Sequence, residues 1–248
     1  MTKKEQLIEQ LRPLLDDRQA LETFLLTHSN LPGPRANLEL LWAVAEVYDN
    51  RDVLDNWRKI PAEEADANDP RNYLVCAAAV CYGKMAARSG DADLIAILKE
   101  MAKDSRWRVR ESVAFAFQFI GEVHFDVLRS TFTDWMPAAD TLEQRAILVS
   151  LAHPPFLNEE RAAFCLEMTE IVLASLSPGS PDFEVLRKSL EFVISVFAAA
   201  NPSKGFALME KWIGADKVRD RILKANLKKN RIARPFPEET ARLLEELG

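Results

Sequence analysis

The stretch that decides the fold covers residues 104–121 and reads Asp104-Ser-Arg-Trp-Arg-Val-Arg-Glu-Ser-Val-Ala-Phe-Ala-Phe-Gln-Phe-Ile-Gly121. An aspartate stands at its beginning, apolar residues then recur every three or four positions, and a glycine closes it. A polar cap, an amphipathic repeat of this period and a terminal glycine are the sequence signals of an α-helix. Weaker versions of the pattern recur along the chain, so we interpret the stretch as the second helix of a helical repeat.

The spacing of similar helices supports a repeat. Predicted second helices begin near residues 35, 69, 104, 140, 181 and 216, about 34, 35, 36, 41 and 35 residues apart, and each follows one shorter predicted helix. Two helices per unit at this period are typical of an α-solenoid, in which amphipathic pairs must stack to cover their apolar faces. The sequence therefore predicts an all-α chain with about six helical pairs and an extra helix at each end, in a single domain over residues 1–248.

Composition agrees with this class and excludes others. The chain has 248 residues, 48% of them hydrophobic, which is enough to bury a substantial core. The longest apolar run, residues 74–82, is well short of the roughly 20 residues that span a bilayer, and the N-terminus has no signal-peptide core. Three cysteines without framework spacing indicate reduced thiols. We therefore expect a cytoplasmic protein that does not cross a membrane.

No known catalytic or metal-binding motif is present. The sequence lacks a glycine-rich phosphate loop, a nucleophile elbow and an HExxH motif. Its three histidines are far apart, and Cys76 and Cys81 are five residues apart on one predicted helix, which directs them to different sides. We expect no catalytic residues, metal or cofactor, and we interpret both cysteines as buried small residues.

Charge is distributed unevenly. The net charge is −6, but residues 211–234 hold nine Lys or Arg against two Asp, so this segment is +7 and the rest of the chain is −13. Five of the cations recur every three or four residues and would form one stripe on a helix: Lys217, Arg221, Lys224, Lys228 and Arg231. Such a stripe could contact phosphates of a nucleic acid. The alternative is a solvated outer face, since cations suit the C-terminal end of a helix.

Trp107 forms a second cluster with Arg106, Arg108 and Arg110. An aromatic ring among arginines can stack on a base while the guanidinium groups bind phosphates. The alternative is that Trp107 packs between repeats and Arg110 is structural. With the stripe, these residues complete our set of candidate nucleic-acid or anion-binding residues: Trp107, Arg108, Arg110, Lys217, Arg221, Lys224, Lys228 and Arg231.

Residues 104–121 resemble the second helix of a HEAT repeat. The resemblance is carried by Asp104, by Val109 and Arg110 five and six residues later, by the small residues inside and by Gly121. In HEAT repeats the aspartate and the arginine commonly bond between adjacent units, which implies that role for Arg110. The other predicted repeats share only the period.

The same region is also similar to the alkylpurine DNA glycosylases built from HEAT-like repeats. In these enzymes a Trp-x-x-Arg segment opens a helix that lines the DNA-binding face, and Trp107 to Arg110 has this spacing. The family's pocket also needs an aspartate one turn after a tryptophan in the preceding repeat, and a tryptophan in the following one. Residues 72–78 contain no carboxylate and residues 142–147 no tryptophan, so we expect no glycosylase activity.

Two main functional hypotheses follow. The first is a non-catalytic HEAT-like scaffold that binds a macromolecular partner, such as a protein, on the concave face lined by the second helices. The alternative is a nucleic-acid-binding protein related to the HEAT-like glycosylases, which contacts DNA through the basic C-terminal stripe and Trp107 and lacks the catalytic aspartate. A small-molecule enzyme is a third class, which no motif supports.

Overall fold

The computed structural model describes all 248 residues, and the chain is entirely helical. It contains fifteen α-helices and three short 3-10 helices, with no strand, so the all-α prediction is confirmed. The chain divides into two compact units, an N-terminal unit (residues 1–128) and a C-terminal unit (residues 129–248), which are described in turn. That residues 1–248 form one domain stays a prediction.

The N-terminal unit is built around one central helix. Its helices are α1 (Lys3–Leu11), α2 (Arg18–His28), α3 (Leu38–Val47), α4 (Arg51–Arg58), α5 (Asn72–Ser89), α6 (Ala92–Met101), α7 (Trp107–Val123) and the first turn of α8 (Phe125–Trp135). Helix α1 packs on α3, α3 on α5, and α5 on α7, while α2, α4 and α6 also contact α5. The middle of α5 is buried on all sides, as its apolar sequence predicts.

Helices α5 and α7 approach each other most closely at Gly83. A Cβ atom placed on Gly83 would lie 2.4 Å from the Cα atom of Ala116 and 2.7 Å from its carbonyl oxygen. Only glycine fits at this crossing, because the neighbouring atoms belong to the backbone of α7 and cannot rotate away.

The C-terminal unit is organised around α11 in a similar way. After the remainder of α8 it contains α9 (Thr141–Leu151), α10 (Glu159–Ser175), α11 (Phe183–Ala200), α12 (Pro202–Trp212), α13 (Lys217–Leu227), α14 (Asn230–Ala233) and α15 (Pro237–Glu246). Helix α11 contacts α9 and α13 as well as α10 and α12. The fully buried Asn226 of α13 joins two of these helices, since it donates to the carbonyl of Leu190 at 2.7 Å and accepts from the N–H of Ser195 at 2.9 Å.

Several helix boundaries differ from the predictions. Gly121 does not stop α7: it is buried within the helix, which continues to Val123. Asp104 is not the N-cap, because its carboxylate accepts the N–H of Arg106, and the helix begins only at Trp107. Likewise α3 begins at Leu38, capped by Asn37, and not at Pro34. The two helix starts are set by local contacts of Asp104 and Asn37, whereas Gly121 continues α7 because it is buried in the fold.

Other predictions about the interior are confirmed. Cys76 and Cys81 are buried free cysteines, as is Cys165. Helix α5 ends at Gly90, whose φ of 69° lies in the left-handed region that favours glycine at a helix end. None of the fifteen helices combines the length and the apolar character that crossing a membrane requires.

Candidate functional site

The arginines of the 104–121 stretch anchor backbone segments. Arg106 pairs with Asp104 at 2.6 Å and donates to the carbonyls of Ile60 and Ala65 at 3.0 and 3.2 Å. Arg110 donates to the carbonyls of Asp104 and Ser105 at 2.7 and 2.8 Å. Both side chains are buried, so their guanidinium groups close the turn before α7 and hold the 60–65 loop against it.

Arg108 connects α7 to two loops that are distant in sequence. Its guanidinium donates to the carbonyl of Gly33 at 2.5 Å and to that of Ala67 at 2.7 Å, and it also donates to the side-chain oxygen of Asn68 at 3.1 Å. Only 6% of the residue is exposed, and this burial lowers its pKa. Its hydrogen-bonding capacity is therefore directed to the protein backbone and is not presented to solvent.

Trp107 lies beside Arg108 and is the only exposed one of the five tryptophans of the chain. The guanidinium carbon of Arg108 sits 4.3 Å from the centroid of the Trp107 ring, a cation–π contact that orients the ring. Even so, 46% of Trp107 is exposed. A large aromatic side chain that is held on one side and open on another is suited to stacking on a partner.

Trp107 opens onto a cavity of about 800 Å³, here called the N-terminal cavity. Its apolar walls come from α3 and α7, which meet where the rings of Trp42 and Phe115 pack edge to face with centroids 6.3 Å apart. Helix α1 contributes Lys3, α5 contributes Cys76, and the segment before α3 contributes Asn30, Pro34, Arg35, Ala36 and Asn37. The remaining lining residues belong to α3 and α7: Leu38, Glu39, Leu41, Arg108, Glu111 and Ser112. A cavity of this size suits a nucleoside-sized group.

The rim of the cavity carries charges of both signs. Lys3 and Arg35 are exposed, and neither has a carboxylate oxygen within 4.0 Å. The carboxylates of Glu39 and Glu111 line the same cavity, and Glu111 is one helical turn beyond Trp107. The arrangement can therefore offer an aromatic face, two cations and two hydrogen-bond acceptors to one ligand.

One buried thiol contributes to the cavity wall. Cys76 is 2% exposed, and burial raises its pKa to about 11, although a hydrogen bond with Ser112 acts in the opposite direction. The thiol is thus protonated near neutral pH and is not an activated nucleophile. We interpret Cys76 as part of the packed wall.

Beyond the cavity, a charge cluster joins α1, α3 and α5. The carboxylate of Glu46 lies 3.2 Å from Lys4, 3.2 Å from Lys84 and 3.6 Å from Arg88. Burial raises the pKa of Glu46, but the hydrogen bonds from the two lysines outweigh this and leave the pKa below its usual value. The cluster stabilises the packing of the three helices that support the cavity.

The predicted basic stripe is not one continuous helix face. Helix α13 ends at Leu227, Lys228 is its C-cap, and Arg231 belongs to the separate short helix α14. Arg221 pairs with Glu191 at 3.2 Å, and Lys224 donates to the carbonyl oxygen of Gly248 at 2.8 Å. Lys217, Lys228 and Arg231 are exposed without a carboxylate in reach.

The structure thus separates the predicted residues into two groups. Trp107 lines the N-terminal cavity with Arg108, whereas the residues of the stripe belong to the C-terminal unit. The cavity is also lined by three residues that are not among the predicted site residues: Trp42, Glu111 and Phe115. Trp107, Glu111 and Phe115 are four residues apart in turn, and this spacing could have placed them on one helix face.

The structure contains no group of three or more His, Cys, Asp or Glu side chains arranged to hold a metal ion. A comparison of the chain with models of known protein families gave no match, and a search of curated proteins gave none either.

Proposed function

We propose that this chain is a HEAT-like helical-repeat protein that binds single-stranded nucleic acid, without catalysis, by stacking an unpaired base in the N-terminal cavity. The single observation that carries the proposal is the composition of that cavity. The half-exposed ring of Trp107 lines it together with Lys3 and Arg35, two cations that have no ion-pair partner. An aromatic face beside free cations is the arrangement that binds a base and its phosphates.

The spacing of the helices supports the repeat architecture. Helices α3, α5, α7, α9, α11 and α13 begin 34, 35, 34, 42 and 34 residues apart, close to the period expected from the sequence. Within each unit, consecutive members of this set pack side by side, as the second helices of stacked pairs do. We propose six HEAT-like pairs, from α2 with α3 to α12 with α13, with α1 and α15 as the extra terminal helices and the one-turn α14 between α13 and α15.

The test is fluorescence anisotropy with labelled single-stranded and duplex DNA over about 50 to 200 mM salt. We expect the single strand to bind more tightly than the duplex, because paired bases cannot enter the cavity. Trp107→Ala should weaken single-strand binding by about 1–3 kcal/mol, or roughly 5- to 150-fold, which is the range for loss of one stacked base. Trp107→Phe should retain most of the affinity, since the aromatic face remains.

The matched control is Val123→Ala on the same helix, because Val123 is also an exposed apolar residue but lies outside the cavity. Equal effects of Trp107→Ala and Val123→Ala, or no binding at the lowest salt, would refute the proposed function. Release of an alkylated purine from duplex DNA would show that the non-catalytic part is wrong.

A protein segment is the second candidate ligand, and one observation favours it. Six large apolar side chains of the chain are exposed, and two of them, Leu38 and Trp107, line this one cavity. Exposed apolar side chains that cluster at a cavity are typical of a protein-docking site. If nucleic acid does not bind, Leu38→Asp should abolish retention of a protein partner in affinity purification, while Arg35→Gln should not.

A further inference from the structure

The C-terminal unit carries a second surface that the base-binding proposal does not use. It is the cationic segment, residues 217–234, which forms α13, the turn after it, α14 and the residue that follows. Five of its cations are without a carboxylate oxygen within 4.0 Å: Lys217, Lys228, Lys229, Arg231 and Arg234. Four of these five side chains are exposed and Lys229 is half-buried, and the whole remainder of the chain has four exposed cations of this kind, namely Lys3, Arg35, Lys59 and Lys188.

Three carboxylates of α11, of α13 and of the residue before α13 are already engaged. Asp216 pairs with Arg219, which is also tied to the carbonyl of Leu173 at 2.9 Å. Asp220 accepts the N–H of Gly214 at 2.8 Å. On α11, Glu191 is shared between the buried Arg187 and Arg221. These three carboxylates are therefore not ion-pair partners of the five remaining cations.

The apolar residues of the segment face inwards. Ile222, Leu223, Leu227 and Ile232 are each fully buried, and the segment contributes none of the exposed large apolar side chains of the chain. A surface that inserts into a membrane or docks a protein usually exposes apolar side chains among its cations. This surface presents charge alone, which fits a partner recognised by its charge alone.

We propose that the cationic segment binds the phosphodiester backbone of a nucleic acid, independently of the bases. Lys217 and Lys228 are eleven residues apart, about 16 Å along a helix, a distance that one strand lying along α13 can span. The choice of nucleic acid as partner rests on the proposed function, whereas the contact itself rests on the unpaired cations.

The test separates the backbone from the bases. Anisotropy is measured with a labelled oligodeoxynucleotide of about 12 nucleotides and with an abasic chain of the same length, which keeps the phosphates and lacks every base. The full chain should bind the abasic chain, with an affinity that falls as salt rises. Each neutralised phosphate of a single strand contributes about −0.7 to the slope of log affinity against log salt.

The double variant Lys228→Gln/Arg231→Gln should reduce the magnitude of that slope by about 1.4 and weaken binding of the abasic chain roughly 50-fold at 50 mM salt, as expected for two lost phosphate contacts. The charge-matched control is Lys59→Gln/Lys188→Gln, which removes two exposed, unpaired cations that lie outside the segment. It should leave both quantities nearly unchanged.

Equal effects of the two double variants, or no binding of the abasic chain, would overturn the inference. Binding to vesicles of phosphatidylcholine and phosphatidylserine is measured with the same variants. If Lys228→Gln/Arg231→Gln weakens binding to the vesicles more than binding to the abasic chain, the inference is overturned in favour of a membrane surface. Trp107→Ala should weaken the base-containing oligonucleotide only. Failure of the proposed function therefore shows at Trp107, and failure of this inference shows at the cationic segment.

Discussion

Replacing Arg108 by glutamine should loosen one wall of the N-terminal cavity and leave the salt dependence of nucleic-acid binding unchanged. Arg108 looks like a phosphate contact in the sequence, where it stands beside Trp107. In the structure its guanidinium is buried and donates to Gly33, Ala67 and Asn68. The two roles predict different outcomes, so this variant distinguishes them.

The expected loss of stability can be estimated from those contacts. Hydrogen bonds that involve a charged group contribute about 1.5–3 kcal/mol each, and the three bonds of Arg108 are not additive because they share one guanidinium. Glutamine is shorter and can replace at most one of them. With only 6% of Arg108 exposed, solvent cannot substitute for the rest, and we expect a loss of about 3 kcal/mol.

The assay combines urea denaturation, followed by far-ultraviolet circular dichroism, with hydrogen exchange. Arg108→Gln should unfold at lower urea concentration, and amides in residues 31–37 and 60–68 should exchange faster, because these loops lose their anchor. The matched control is Arg35→Gln, since Arg35 is exposed at the same cavity without an ion-pair partner. Its stability should change by less than about 0.5 kcal/mol.

Binding measurements complete the comparison. Arg108→Gln should weaken single-strand binding through the displaced wall and a less ordered Trp107, with the same slope of log affinity against log salt. Arg35→Gln should instead reduce the magnitude of the slope by about 0.7, as expected for one lost phosphate contact. Native stability in Arg108→Gln, or a slope reduced as in Arg35→Gln, would refute the anchoring role.

Three further predictions concern the helices that support the two surfaces. Gly83→Ala should destabilise the N-terminal unit by about 1–3 kcal/mol despite the better helix propensity of alanine, because the added Cβ would overlap the backbone of Ala116. A melting temperature equal to or above that of the native chain would contradict this. Asn226→Ala should destabilise the C-terminal unit by about 2–4 kcal/mol, because the carbonyl of Leu190 and the N–H of Ser195 on α11 lose their bonds to Asn226. Urea denaturation measures this loss. An unchanged free energy of unfolding would show that the bonds between Asn226 and α11 are dispensable. Glu46 has a lowered pKa in the folded state, so its stabilising contribution is present above the unfolded pKa of about 4.3 and is lost as pH falls through the lower folded value. Glu46→Gln should therefore make stability less dependent on pH between about pH 5 and pH 3, and an unaltered acid denaturation curve would count against the cluster.

Local signals predicted most of the helices. Four helices begin at a polar side chain that accepts a backbone N–H group three residues ahead, a signal that is local in sequence: Thr2, Asp17, Asn158 and Asn201. The end of α7 was not predictable in this way. Gly121 remains helical since it is buried within α7, and burial depends on the rest of the fold.

The candidate site was predicted only in part, for the same reason. Trp107 was identified because its arginine neighbours are adjacent in sequence, whereas the role of Arg108 depends on Gly33, which is 75 residues away. Trp42 has apolar helical neighbours and was expected in the core, yet it lines the cavity, because its position relative to Phe115 is set by the packing of α3 and α7 around α5. Contacts between distant segments leave no signal in a single local pattern.

The base-binding role of Trp107 can be tested most directly by fluorine nuclear magnetic resonance of the full chain labelled with 5-fluorotryptophan. Trp107→Phe assigns the resonance of Trp107, and Trp57, which is buried in the same unit, serves as an internal reference. Addition of the single-stranded oligonucleotide should shift the Trp107 resonance and leave that of Trp57 in place, while the abasic chain should shift neither. A Trp107 resonance that does not move with the oligonucleotide, or that moves equally with the abasic chain, would contradict the stacking of a base in the N-terminal cavity.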